Sequence, residues 1–249
     1  MRDRRKFGLI GKNIEYSFSR KYFLEKFSSD INLTGYNYEN FDIESINLIN
    51  SFISDKDLGG LNVTIPYKEE IIPYLDALTD EAKEIGAVNT ICFENNKKIG
   101  YNTDIFGFTE SLKVNSINNI KAMIIMGTGG AAKTIIYFCK KNKIPFNIVS
   151  RRKSKDYLSY RDIDHSLFKG NVLIVNCTPL GTYPDINKCP NLPYNLLEKE
   201  NILYDLVYNP SETLFIKKGK EIGCKTLNGY EMLKFQAEMS WNLWTKSLK

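Results

Sequence analysis

The feature that most constrains this chain is an apolar run that meets a glycine turn. Ala122 to Met126 is apolar throughout and leads into Gly127-Thr128-Gly129-Gly130-Ala131-Ala132, after which a helix is expected to about Lys141. Strand, glycine turn and helix in that order give the G-x-G-x-x-A pattern the context it needs to bind a dinucleotide. Gly127 allows the tight turn, Gly129 lets the backbone approach a pyrophosphate, and the small side chain of Ala132 permits close packing of helix on sheet. The helix start offers unpaired N–H groups to an anion. Gly127, Thr128, Gly129, Gly130 and Ala131 are therefore the expected phosphate-binding residues. The plainer alternative is a glycine-rich turn with no ligand.

The next expected strand, Phe146 to Val149, ends at Ser150-Arg151-Arg152-Lys153-Ser154-Lys155. An acidic residue at this point would bond a ribose 2′-OH and repel a 2′-phosphate. Ser150 stands there instead, with Arg151, Arg152 and Lys155 close behind. A forked guanidinium matches a phosphate dianion, so NADP is expected rather than NAD. Strands are expected over Val172 to Asn176 and Ile202 to Val207, both ending at the sheet edge where ligands of open α/β sheets collect. Helix over Glu212 to Lys218, strand over Cys224 to Leu227, a turn at Asn228-Gly229 and a final helix over Tyr230 to Lys246 complete the chain. Gln236 falls on the apolar stripe of that last helix, as a core glutamine or as one that faces a cleft.

The N-terminal half is organised around Gly59-Gly60-Leu61-Asn62-Val63-Thr64-Ile65-Pro66-Tyr67-Lys68. Leu61, Val63 and Ile65 alternate with Asn62 and Thr64, the period of a half-buried strand. Pro66 has no N–H and ends the ladder. Lys68 lies just beyond, either solvated or aimed into a cleft. Before this stretch come a strand over Lys6 to Gly11 and a helix over Arg20 to Phe27 with Ser19 as N-cap, which leaves Ser17 unexplained. A strand over Tyr36 to Phe41 and helical spacing at Ile46, Ile49 and Ile53 follow. The alternation implies a largely parallel α/β sheet. After it, Thr79 caps a short helix to Glu84 and Ile85 to Ile91 reads as strand. Asn89 sits inside that apolar run, so it either satisfies backbone groups or faces a ligand. Asn95-Asn96 is a turn and Lys98 to Tyr101 a strand. Asp104 opens a helix to Lys113, either as a helix-start residue or as a carboxylate at the mouth of the cleft that holds Lys68.

With 249 residues the chain makes one large domain or two small ones. The net charge of +5 owes part of its excess to Arg2, Arg4, Arg5 and Lys6, read as a solvated terminus. No apolar run reaches the ~20 residues of a membrane helix, nor the shape of a signal peptide, so a cytoplasmic protein is expected. The five cysteines are scattered without a C-x-x-C pair, which argues against disulfides and a zinc site. His165, the single histidine, lies in a polar stretch and reads as a surface residue. A nucleic-acid partner is not expected, because no recognised module or aromatic-interleaved basic stripe is present.

Several stretches, taken together and in order, resemble the shikimate dehydrogenase family over nearly the whole chain. They are Ser17-Phe18-Ser19, Asn62 to Lys68, Gly86 to Thr90, Asn102-Thr103-Asp104, Gly127 to Ala131, Asp205 to Pro210, and Asn228 to Leu233 with Gln236. The resemblance implies a two-domain α/β fold: a split substrate domain, 1–104 and 229–249, and a Rossmann-like NADP-binding domain, 105–228, with a cleft between. It implies reversible NADP-linked reduction of 3-dehydroshikimate to shikimate by a monomer or homodimer. It makes Lys68 and Asp104 the catalytic pair and Ser17, Ser19, Thr64, Asn89 and Gln236 ligands of the substrate, with Asn62 and Tyr208 in support. Thr178, Leu206 and Gly229 join the cofactor set. Arg20 stands where the family usually has proline, which leaves the first helix start less fixed; Leu206 and Thr182 stand where methionine is frequent, and neither change removes a group the reaction needs. The rivals are a quinate/shikimate dehydrogenase using NAD, against which Ser150 speaks, and a non-catalytic NADPH-binding regulator, which would have lost Lys68 or Asp104.

Overall fold

The computed structural model describes residues 6–15 and 17–247. Arg2, Arg4 and Arg5 lie outside them; Lys6 is placed 3.3 Å from Glu39 and 3.5 Å from Asp55. The chain divides into two compact units, Met1–Thr103 with Ala237–Lys249, and Asp104–Gln236.

The first unit holds β1 (Lys6–Gly11), α1 (Phe18–Ser29), β2 (Asn37–Asp42), β3 (Leu58–Val63), β4 (Ala77–Leu78), α2 (Asp80–Ile85), β5 (Thr90–Glu94) and β6 (Lys97–Tyr101). Its sheet runs β2-β1-β3-β5-β6-β4. The β1 strand pairs in parallel with β2 and β3, as the alternation implies. The other half differs: β5 is antiparallel to both β3 and β6. The cause is local. Asn95 and Asn96 both take positive φ, 48° and 63°, and a two-residue turn of that kind joins only antiparallel strands.

β3 departs from the half-buried strand expected of it. All six of its residues are buried, and it stops at Val63, leaving Ile65 61% exposed. It lies between β1 and β5 with a core on each face. Leu61 and Val63 join Ile10, Ile49, Val88 and Ile91 on one side. On the other, Gly60 lies under Trp244, whose indole Nε1 donates to the Ile91 carbonyl at 3.0 Å. A Cβ on Gly60 would stand 2.1 Å from that nitrogen. Phe7, Phe23, Tyr38 and Trp241 complete this second core.

Three more expectations change at element ends. α1 begins at Phe18 and its N-cap is Ser17, whose Oγ accepts from Ser19 N at 3.2 Å. Ser19 is thus the second helical residue, where the N–H needs an acceptor and the side chain does not cap. The Ile46 to Ile53 stretch forms a 3₁₀ turn, Ile46–Ser51, not an α-helix. Ile46 and Ile49, three apart, eclipse in that geometry and are both buried. α2 runs through Ile85, and Gly86 at φ 70° caps it in the left-handed region, so the strand starts only at Thr90.

The second unit contains α3 (Asp104–Val114), β7 (Ala122–Met126), α4 (Gly130–Lys141), β8 (Phe146–Ser150), β9 (Leu158–Ser159), β10 (Val172–Asn176), β11 (Ile202–Asp205), α5 (Leu214–Ile222) and β12 (Lys225–Leu227). Its sheet, β12-β11-β10-β7-β8-β9, is parallel at every pairing. From β7 the chain goes first to β8 on one side and then to β10 on the other, which creates the switch point that open α/β sheets use for ligands. Ile124, Met126, Val149, Ile174, Leu203 and Phe215 form its core. β11 ends at Asp205, two residues before the expected end, because the Asp205 carboxylate takes the Val207 N–H and turns the chain. α5 starts at Leu214, where Thr213 Oγ1 accepts from Ile216 N. The closing helix α6 (Tyr230–Ser247) belongs to the second unit up to Gln236 and to the first from Ala237. No helix of the described residues is long and apolar enough to cross a membrane. His165 is more than half exposed, 3.3 Å from Glu198.

Candidate active site

In the first unit Asn62 and Asn89, both singled out in the sequence, meet in one buried network with Tyr38, Thr90, Thr103 and Ser240. Asn62, on the β3 face opposite Leu61 and Val63, is 3% exposed. Its Oδ1 accepts from the Tyr38 hydroxyl at 2.8 Å, and its Nδ2 donates to the Asn89 carbonyl, Thr90 Oγ1 and Ser240 Oγ. Both ends of the amide are thus committed inside the protein, which makes Asn62 a scaffold rather than an open ligand. Burial pushes the pKa of the Tyr38 phenol up, against the opposing pull of the Ser19 side chain nearby.

Asn89 resolves its two readings toward the backbone in part. Its Oδ1 accepts the Thr103 N–H at 2.6 Å, and its Nδ2 donates to Thr103 Oγ1 at 2.9 Å. Thr90, Thr103 and Ser240 close a triangle of hydroxyls at 2.8–3.1 Å. A polar residue within an apolar run has found the partners its burial demands.

Lys68 is half-buried in the turn after β3, and Thr64 half-buried before it. The Lys68 carbonyl accepts from Val88 N at 2.7 Å. Bonds thus run from Lys68 to the Val88–Asn89 segment and from Asn89 to Thr103, the residue before Asp104. Asp104 is buried at the first position of α3. Gln236 is buried on α6 and donates to the Leu233 carbonyl at 3.0 Å. A Cβ on Gly107 of α3 would meet Met232 O at 2.5 Å and Gln236 Cβ at 3.0 Å, so α3 and α6 approach closely there.

In the second unit, Gly127 bends at φ 116° and donates its N–H to the Val149 carbonyl at 3.0 Å. Gly129 is the N-cap of α4 and brings no capping side chain, so the first N–H groups of α4 keep no local side-chain acceptor. A Cβ at Gly129 would meet nothing within 4 Å, and Thr128 and Gly129 are exposed. Gly130 and Ala131 start the helix half-buried, and Ala132 is fully buried against the sheet. Ser150 accepts from Arg152 N at 3.3 Å, and Arg151, Arg152 and Lys155 are exposed beyond it. Lys153 is engaged with Asp162 at 2.8 Å. An open, anion-ready helix start beside three exposed cations fits a dinucleotide with an extra phosphate.

The remaining cofactor candidates come to the same edge. A Cβ on Gly127 would lie 3.3 Å from the Cys177 carbonyl and 3.4 Å from Thr178 Cγ2. Gly229 donates to the Val207 carbonyl, and a Cβ there would stand 2.1 Å from the Leu206 carbonyl oxygen. Tyr208 is half-buried in the same loop. Tyr38, Thr90, Thr103, Ser240, Asn176 and Asp205 were not singled out individually in the sequence. Their signal was weak: Thr90, Asn176, Asp205 and Ser240 are polar residues in or at the end of apolar segments, as Asn89 is, while Tyr38 and Thr103 stand among other polar residues.

Comparison with known proteins bears on both units. Residues 9–91 match the family model of the shikimate dehydrogenase substrate binding domain. The shikimate dehydrogenase (NADP(+)) of Methanococcus vannielii is 38% identical over 260 residues, covering 96% of this chain and 90% of the relative. Shikimate dehydrogenase 1 from Peptoclostridium difficile shares the fold with a TM-score of 0.86 at 37% identity, covering 97% of this chain and 92% of the other. The shikimate 5-dehydrogenase of Thermus thermophilus, solved in complex with NADP(H) and shikimate, gives 0.86 at 26% identity over 97% and 93%. Likeness that runs through both units at this identity leaves one conclusion: the chain belongs to the shikimate dehydrogenase family.

Proposed function

We propose that this chain catalyses the reversible, NADP-linked reduction of 3-dehydroshikimate to shikimate, a step of aromatic amino acid biosynthesis, in the cytoplasm and as a monomer or homodimer. The observation that carries the reading is the kinship along the whole chain to NADP(+)-linked relatives. The glycine turn and the Ser150-Arg151-Arg152 strand end support NADP in particular.

When bound, NADPH supplies the hydride, so the protein needs no redox group of its own. Gly127 to Ala131 would hold the pyrophosphate, Ser150, Arg151, Arg152 and Lys155 the 2′-phosphate, and Thr178, Leu206 and Gly229 the nicotinamide side. Residues 105–228 act as the cofactor domain and 1–104 with 229–249 as the substrate domain. Lys68 Nζ gives a proton to the substrate's ketone oxygen as that oxygen becomes alkoxide-like, and places a positive charge beside it. The Asp104 carboxylate orients the ammonium and shares in proton exchange. Ser17, Ser19, Thr64, Asn89 and Gln236 bind the substrate's carboxylate and hydroxyls, with Tyr208 in support and Asn62 beneath them. The bonds from Lys68 through Val88 and Asn89 to Thr103 support the pairing of Lys68 with Asp104, because they fix both backbones to one short segment.

Initial rates with shikimate or quinate, each with NADP or NAD, test the reading. Shikimate with NADP is expected to be fastest by a wide margin. Faster turnover of quinate with NAD, or no turnover in any of the four, overturns it.

A further inference from the structure

Asp205 ends β11 and has no part in the proton transfer above. It is fully buried, and its carboxylate is held by three neutral donors. Oδ1 accepts from Asn176 Nδ2 at 2.8 Å and from Val207 N at 3.0 Å, and Oδ2 accepts from Thr213 Oγ1 at 2.6 Å. The three donors sit in two segments at the carboxyl edge of the sheet, the end of β10 and the loop from β11 to α5. Asn176 ends β10, and its Oδ1 accepts both the N–H and the O–H of Thr178, at 3.0 and 2.7 Å. Val207 follows Leu206, and its carbonyl takes the Gly229 N–H. Thr213 caps α5.

Burial pushes the Asp205 carboxyl up to about 6, against the pull of its hydrogen bonds. The Asp205 charge adds to the upward shifts of the Cys177 thiol and the Tyr194 phenol, both raised chiefly by their own burial. An acid in such surroundings is a poor source of stability, since a neutral side chain of similar shape would avoid the desolvation cost. Its geometry does something a neutral group cannot: a carboxylate has only acceptors, so it draws a donor from the end of β10 and two from the β11–α5 loop at once.

We propose that Asp205 is a positioning residue for the nicotinamide half of the cofactor: through Asn176 it fixes Thr178, and through the Val207 amide it fixes Leu206 and its neighbour Gly229. This rests on the reading of Thr178, Leu206 and Gly229 as cofactor contacts.

The test uses the whole chain as Asp205→Asn and compares two ligands. NADPH binding is followed by nicotinamide fluorescence, and 2′,5′-ADP, which carries the adenosine end alone, by calorimetry. The variant is expected to bind NADPH about tenfold more weakly, ~1.4 kcal/mol, while its Kd for 2′,5′-ADP stays within about twofold of wild type. Asn176→Ala cuts the Thr178 branch together with one of the donors to Asp205, leaves the Val207 branch in place and is expected to give the same split, which keeps the test in force if Asp205→Asn does not fold. Variants that bind NADPH as wild type does, or that lose both ligands equally, overturn the inference. A wild-type chain that does not bind NADPH overturns the cofactor reading as well, so the two failures are told apart.

Discussion

Asn89 Oδ1 accepts the backbone N–H of Thr103 at 2.6 Å, joining residues 14 apart in the chain. The bond ties the loop before β5 to the residue that precedes Asp104. The same amide donates to Thr103 Oγ1, so the side chain holds the backbone and side chain of one residue together. Replacing Asn89 by Ala strands the buried Thr103 N–H. Such a loss costs about 1–3 kcal/mol. Denaturant unfolding of Asn89→Ala should show a drop of that size, and the KM for shikimate should rise. Unchanged stability would mean that Thr103 finds another acceptor.

In the mechanism proposed above, Lys68→Ala removes the proton donor and the positive neighbour of the nascent alkoxide. General acid catalysis contributes roughly 10²–10⁴-fold, so kcat should fall by at least that order. Binding of shikimate, followed by thermal shift, should persist. Near-normal turnover would take Lys68 out of the chemistry.

Arg151→Ala deletes an exposed guanidinium just past β8. The KM for NADPH should rise by roughly tenfold, ~1.4 kcal/mol, as for loss of one charge-assisted contact. The KM for NADH should hardly move, because NADH lacks the 2′-phosphate. An unchanged NADPH KM places the phosphate elsewhere.

Asp205 makes stability depend on pH. Its carboxyl is raised from 3.8 to about 6 in the folded chain, so the folded state binds this proton more tightly than the unfolded state. The favourable contribution is complete below about pH 4 and is lost as pH rises through about 6. The span corresponds to ~3 kcal/mol at most. Unfolding free energies of wild type and Asp205→Asn, measured from pH 4 to 7, should diverge, with wild type losing ground as pH rises. A constant difference across that range rules out Asp205 as the titrating group.

The elements most legible in the sequence were those whose signals are local. The apolar run from Ala122 to Met126, the glycines behind it and the helix that follows stand where the pattern placed them, at β7 and α4. The Asn95-Asn96 turn was legible too, but its consequence, the antiparallel pairing of β5 with β6 in a sheet expected to be largely parallel, was not drawn from it. Ser17 and Ser19 are both good caps by type, and only the first takes the role. The period of Leu61, Val63 and Ile65 carried the strand two residues too far, because alternation records which faces differ and not where pairing stops.

The sequence by itself determined the fold class, the order of strands and helices and the residue types at the glycine turn and the basic strand end, since these follow from period, turn chemistry and backbone freedom over a few neighbouring residues. The tertiary structure alone decided that β3 is buried on both faces, that Asn62 is spent on Tyr38 and Ser240, and that Asp205 ties the end of β10 to the β11–α5 loop. Asn62 and Ser240 stand 178 residues apart in the chain. A buried polar group is satisfied by whatever packing brings to it, and no local pattern records a partner so remote.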